Sequence, residues 1–270
     1  MTAYLGNLGM MVPLGLMSEL SIQHTRNANF AETLGGRRVA QIAPRAHREW
    51  RVSPLAEAYA EELAPILGFI RGEFGNGPWW WLDEWAQVTN ILPPDVSLYR
   101  HNWRNTTRGG PVTLPDGAIA GESLIANGST YVDWASGDEV RFPVVQGVPV
   151  TGSAWLGGAR HATRIEVRDI NDQVLDFSHV ERTGAGLQRT AATITPGPNA
   201  HHCVLRFINP GRIVRPALTF TPQVTSYHGG NGCTQAIIQG TYAEDVIRAH
   251  VGGYADSQAA SGSFTISEVG

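Results

Sequence analysis

Two clusters in this chain combine residue types that do chemistry. His201-His202-Cys203 sets two imidazoles beside a thiol, a set that ligates zinc elsewhere. Adjacent strand residues point to opposite faces, and no second cluster at zinc spacing accompanies them. The expectation is two exposed histidines ahead of a buried strand. Asp169, Asp172 and Asp176 recur around a turn. Calcium sites need a denser loop of oxygen ligands, so a solvated turn is the better reading. The two carboxylates of a glycoside hydrolase need only meet in space, and nothing in the sequence marks such a pair. There is no Gly-x-Ser-x-Gly elbow, phosphate loop or dinucleotide fingerprint. The residues therefore imply no catalytic centre, metal or cofactor, and the chain is not read as an enzyme.

The elements around these residues are organised by Arg71-Gly-Glu-Phe-Gly-Asn-Gly-Pro-Trp-Trp-Trp-Leu-Asp-Glu-Trp85, which holds four of the eight Trp. Gly75, Gly77 and Pro78 force a sharp turn just before them. Three consecutive rings cannot all face one way on a strand or helix. Trp79, Trp80, Trp81 and Trp85 either plug one core or pack partly on a neighbouring subunit, where Trp and Arg are enriched.

A length of 270 residues fits one large domain or two ordinary ones. Only 16% of residues are charged, with 31 Gly and 16 Pro, which suits a turn-rich β protein with surface covered by partners. Net charge is −4, which does not indicate a nucleic-acid partner. All basic residues are Arg, the mark of a GC-rich genome. Cys203 and Cys233 make no disulfide framework, and a single bridge between them stays open. No apolar run reaches the ~18 residues of a membrane span. The first residues carry no basic n-region, so assembly in a cytoplasm is expected.

Along the chain, 17–24, 37–42 and 47–52 read as strands. Arg48, Trp50 and Val52 fall on one face, Glu49 and Arg51 on the other. Ser53-Pro54 reads as a helix start, followed by apolar positions at helical spacing to Gly72, with a kink at Pro65. Residues 87–92 and 96–103 read as strands. The Gly-, Pro-, Asn- and Thr-rich stretch 105–128 reads as a domain boundary near 110, and Asn105-Thr-Thr107 and Asn127-Gly-Ser129 as turns rather than glycosylation sites. Eight candidate strands follow, at 130–134, 139–145, 148–156, 163–168, 173–177, 188–194, 203–208 and 213–220, which argues for an antiparallel sandwich or jelly roll. Strands at 234–239 and 262–269 and a short helix near 243–249 close the chain. With the sandwich already filled, residues from about 235 are expected to return to the N-terminal domain. The fold class is mainly β: a domain of strands with one helix over 1–110, a sandwich over 111–222, and C-terminal strands over 223–270.

The runs 34–45, 48–50, 69–83 and 86–93, Arg215-Pro216 and the ending Ser263–Gly270 resemble minor tail proteins of long-tailed phages of actinobacteria. Within such tails the resemblance is to the distal tail protein. It covers the first ~100 residues and the C-terminal segment best. The resemblance implies a virion tail-tip protein with a belt domain and a peripheral sandwich like galectins or carbohydrate-binding modules. It also implies a ring, by analogy of six copies, that joins the tail tube to the baseplate beside the tape measure and other tail-tip proteins. On this reading Arg37, Arg38 and the four clustered Trp form the assembly interface. A second reading is a glycan-binding module for a host-surface sugar, with Trp155, Tyr227 or His228 as platforms. A carbohydrate-active enzyme is a third.

Overall fold

The computed structural model describes residues 2–15, 17–32, 35–42, 46–54, 60–99, 103–128, 131–133, 141–239, 247–248, 258–259 and 263–269. In chain order these hold β1 (Tyr4–Asn7), β2 (Met10–Pro13), β3 (Met17–Thr25), β4 (Ala28–Glu32), β5 (Arg38–Ile42) and β6 (His47–Pro54). Then come α1 (Ala60–Ile70), β7 (Trp79–Leu82), α2 (Glu84–Thr89) and α3 (Pro94–Ser97). Next are β8 (Thr106–Gly109), β9 (Val112–Thr113), β10 (Ile119–Ala120), β11 (Ser123–Ala126), β12 (Tyr131–Asp133) and β13 (Phe142–Pro143). The long strands follow: β14 (Val150–Gly157), β15 (Arg160–Arg168), β16 (Val174–Thr183), β17 (Gln188–Ile194), β18 (His202–Ile208) and β19 (Arg212–Thr219). Last come β20 (Cys233–Gln239), β21 (Ile247–Arg248), β22 (Gln258–Ala259) and β23 (Phe264–Glu268). The protein is mainly β, and its described residues hold one helix of eleven residues and two shorter ones.

Two compact units result: Met1–Ala3 with Val12–Trp79 and Gln235–Gly270, and Tyr4–Met11 with Trp80–Thr234. The divisions fall at 79/80 and 234/235 rather than near 110 and 222. The reason is packing: Ile91, Leu92, Val96, Tyr99 and Trp103 are part of the same buried cluster as Phe142, Leu205 and Phe207.

In the first unit β20, β23, β6 and β3 are successive antiparallel neighbours. Trp50 stands opposite Ile22 on one side and Ile266 on the other, and Val52 opposite Leu20 and Phe264. Trp50, Val52, Phe264 and Ile266 are all buried, as period-two alternation requires. Ser53 and Pro54 extend β6, opposite Glu19 and Met17, and do not start a helix; residues 55–59 lie outside the described set. The helix runs through Pro65. It ends where Gly72 turns to φ 78°, with Glu73 N donating to Gly68 O at 2.8 Å, a helix stop of the kind glycine permits. The helix expected near 243–249 lies mostly outside the described residues; Ile247–Arg248 pairs with Gln258–Ala259 as strands.

In the second unit a five-stranded sheet, β17-β14-β19-β11-β8, faces another of order β12-β18-β15-β16, with β13 beside β18. Their inner faces supply Val150, Ala154, Leu156, Ile165, Val167, Leu205, Phe207 and Leu218 to one core. Gly152 leaves no room for a side chain between the sheets: a Cβ there would meet Leu205 Cδ1 at 2.5 Å. The stretch 105–128 is not a linker, because β8 and β11 are strands of the first sheet. Nor are 87–92 and 96–99 strands; residues 100–102 of the second expected strand lie outside the described set. The Asp83 side chain accepts from Ala86 N and caps α2, while Pro94 occupies the first turn of α3, where its missing N–H costs nothing.

Asn90, fully buried just after α2, is a hub that propensity does not announce. Its Nδ2 donates to Pro216 O (3.3 Å) and His228 O (3.2 Å), and its Oδ1 accepts from Leu92 N (3.2 Å) and Leu218 N (3.1 Å). That uses the amide's whole inventory of two donors and two acceptor sites.

Candidate assembly surface

The Trp block divides by strand alternation. Trp79 and Trp81 are only 4% and 1% exposed. Trp79 packs edge-on against Phe69 at 5.2 Å and so serves its own unit. Trp80 is half-buried and meets Phe142 edge-on at 6.2 Å in the second unit. These three rings are filled by their own chain and offer a partner little or nothing. Trp85 differs: it sits on the solvent side of α2, 54% exposed, with only the exposed His228 against its edge at 5.7 Å.

Residues 28–42 present a second surface. Among the described residues β4 and β5 pair only with each other, with Phe30 opposite Ala40, Ala31 opposite Val39 and Glu32 opposite Arg38. Every described side chain of this hairpin is exposed, including Phe30 at 57% and Val39 at 49%. The Arg38 guanidinium lies 4.4 Å over the Phe30 ring. Arg37 is exposed at the start of β5. Residues 33 and 34 lie outside the described set; Gly36, just before β5, turns with φ 74°.

The first unit is fastened by Arg48 and Glu268. Arg48 donates from Nε to Oε2 at 2.9 Å and from a terminal nitrogen to Oε1 at 2.7 Å, a two-pronged pair in which both side chains are largely buried.

The sugar platforms expected from the sequence do not come together as a site. Trp155 packs on Leu114, Ala120 and Val214 in a small separate core, with Leu114 and Ala120 contributed by the segment carrying β9 and β10. Tyr227 is half-buried with the Arg215 guanidinium 5.3 Å from its ring. His228 belongs with Trp85.

The histidine pair also departs from expectation, because His202 is fully buried at the start of β18. Its Nε2 lies 3.0 Å from Asp172 Oδ1 and its Nδ1 3.0 Å from His201 Nδ1. Asp172 adopts φ 65° and also pairs with Arg168; Asp169 caps its own turn through Asn171 N and Gln173 N. Among the described residues no group of three or more His, Cys, Asp and Glu is arranged to hold a metal ion. Cys203 is a free, buried thiol, its pKa pushed up to about 12 by burial; the Cys233 side chain lies outside the described set.

Burial lowers the His202 pKa, and Asp172 only partly opposes it. The unfolded chain therefore takes up this proton first, so the stabilising difference is full above about 6.5 and is lost as pH falls below it. We predict that the melting temperature drops between pH 7 and 5, and drops less in His202→Gln. Equal drops in the two proteins, followed by circular dichroism, would exclude His202 as the cause. Glu166 acts lower on the scale. Its burial pushes its pKa up, but the Arg168 hydrogen bond and the charges of Arg206, Arg168 and Arg164 outweigh this and hold it below 4.5.

No known family profile matches the sequence, and no curated protein matches it. Among solved structures, the chain is similar to the enzymatically active domain of tailspike protein 4 of bacteriophage CBA120, at 13% identity and TM-score 0.36, over 49% of this chain. It spans about a fifth (21%) of that protein's length. It is also similar to the Dit protein of phage SPP1, described as a hub of the adsorption apparatus in phages that infect Gram-positive hosts. That likeness has 10% identity and TM-score 0.19, over 99% of both chains. Both are phage proteins, but at these scores neither likeness assigns a role, and the reading below stands on this chain's own residues.

Proposed function

We propose that this protein is a structural component of a phage tail tip whose copies close into a ring, the hairpin of one copy lying on the next. The observation that carries this reading is the exposure of β4 and β5 on both faces. A lone two-stranded hairpin is marginal in water, and Phe30 and Val39 gain burial only from something outside it. A heterologous contact of this kind gives a ring where its rotation closes. The resemblance of residues 34–50 and 69–93 to phage minor tail proteins supports the same assignment, with tail tube, tape measure and baseplate as the neighbours it implies. Exposed Trp85 is a second candidate contact.

The test is a double variant, Phe30→Asp with Val39→Asp. Both side chains are exposed, so the melting temperature should stay within a degree or two of wild type. Light scattering at high protein concentration, and incorporation into tail particles, should show oligomer for wild type and monomer for the variant. A variant that assembles like wild type overturns the role of the hairpin. A wild-type chain monomeric both alone and in the particle overturns the ring.

A further inference from the structure

We propose that the outer face of the sheet β12-β18-β15-β16 binds a neutral oligosaccharide. Asp133, Arg206, Arg164 and His179 stand in register across the four strands. At about 4.8 Å per strand the row runs roughly 14 Å. Two arginines directly opposite repel each other. Glu166, nearly fully buried on the same face, offsets this: one carboxylate hydrogen-bonds Arg206 at 3.2 Å and also Arg168, and forms an ion pair with Arg164 at 2.8 Å. Asp133 holds Arg206 from the other side at 3.2 Å, and Asp172 holds Arg168 at 3.1 Å. The planar guanidinium groups are thus fixed in orientation.

Aromatic rings flank the row. Arg164 lies 4.2 Å over Phe177, and Arg206 5.1 Å from the Tyr131 ring centre. The rings nevertheless stay 51% and 46% exposed. A guanidinium over an exposed ring is worth only about 0.5–1 kcal/mol, a small return for two large rings left half in water. Exposed rings next to pre-oriented donors match a ligand with apolar C–H faces and many hydroxyl acceptors, because each oriented group loses little freedom on binding. Charge selects among such ligands. Three guanidinium groups (Arg164, Arg168, Arg206) meet three carboxylates (Glu166, Asp133, Asp172). The cluster is neutral and has no surplus charge to draw an anion, which points to an uncharged saccharide. The site shares no residue with the hairpin of the ring proposal and does not depend on it.

The experiment is titration calorimetry of the full chain with neutral tetrasaccharides of glucose, galactose and N-acetylglucosamine, and with tetragalacturonate as the charged counterpart. At least one neutral probe should bind. Phe177→Ala and His179→Ala change exposed side chains, so they should keep the wild-type melting curve while weakening binding on the order of tenfold, which is about 1.4 kcal/mol. Failure of every neutral probe overturns the proposal, as does binding that both variants leave unchanged. Tighter, salt-sensitive binding of tetragalacturonate overturns the neutral assignment. If Phe177→Ala alters oligomer mass and leaves saccharide affinity alone, the face is a protein contact and the proposal fails.

Discussion

Truncation after residue 260 is expected to unfold the first unit while the sandwich stays intact. β23 is an inner strand, bonded to β20 on one side and β6 on the other. Its loss opens two strand edges at once. It also takes away Phe264 and Ile266 from beside Val52 and Trp50. Arg48 loses Glu268, and breaking a buried pair by deleting one partner costs about 3–5 kcal/mol by itself. Hydrogen exchange should show β6 amides unprotected and β14 to β19 amides protected as in wild type. Undiminished protection of β6 would mean that the C-terminal strand is dispensable. The single change Glu268→Ala should reproduce part of the effect.

The second large effect is expected at Asn90. Asn90→Ala leaves Leu92 N, Leu218 N, Pro216 O and His228 O without their side-chain partner in a buried setting. An unsatisfied buried group costs about 1–3 kcal/mol. After local relaxation we expect a loss of roughly 4 kcal/mol, or about ten degrees in melting temperature for a unit of this size. Asn90→Asp should be nearly as damaging, because a carboxylate accepts but cannot donate to the two carbonyls. A shift of only a degree or two in both variants would show that water substitutes for the amide.

What the sequence disclosed depended on how local the cause was. The strand expected over 188–194 coincides with β17, that expected over 203–208 starts one residue after β18, and that expected over 213–220 is displaced from β19 by one residue. Alternation and turn residues both act within a few positions there. The apolar run 87–92 reads as a short strand, yet Val88, Ile91 and Leu92 lie at helical spacing. Asp83 as a helix cap was the available sign, and it is what α2 uses. The pair Arg48 and Glu268 lies 220 residues apart, and no local pattern reports it. Trp155 was read as a sugar platform, but the segment that covers it was taken for a boundary loop. The guanidinium row was missed because its members lie on four strands, and only strand register brings them into line.

The first unit takes its strands from distant parts of the chain, and this sets an order of synthesis. β6 leaves the ribosome about two hundred residues before its neighbour β23. At about 5–20 residues per second, its edge waits roughly ten to forty seconds for that neighbour. The intervening sandwich needs no late strand and can fold during the wait. The sheet of the first unit therefore acquires its final strand only when translation reaches residue 268, so a half-made chain does not yet present a finished subunit to its fellows.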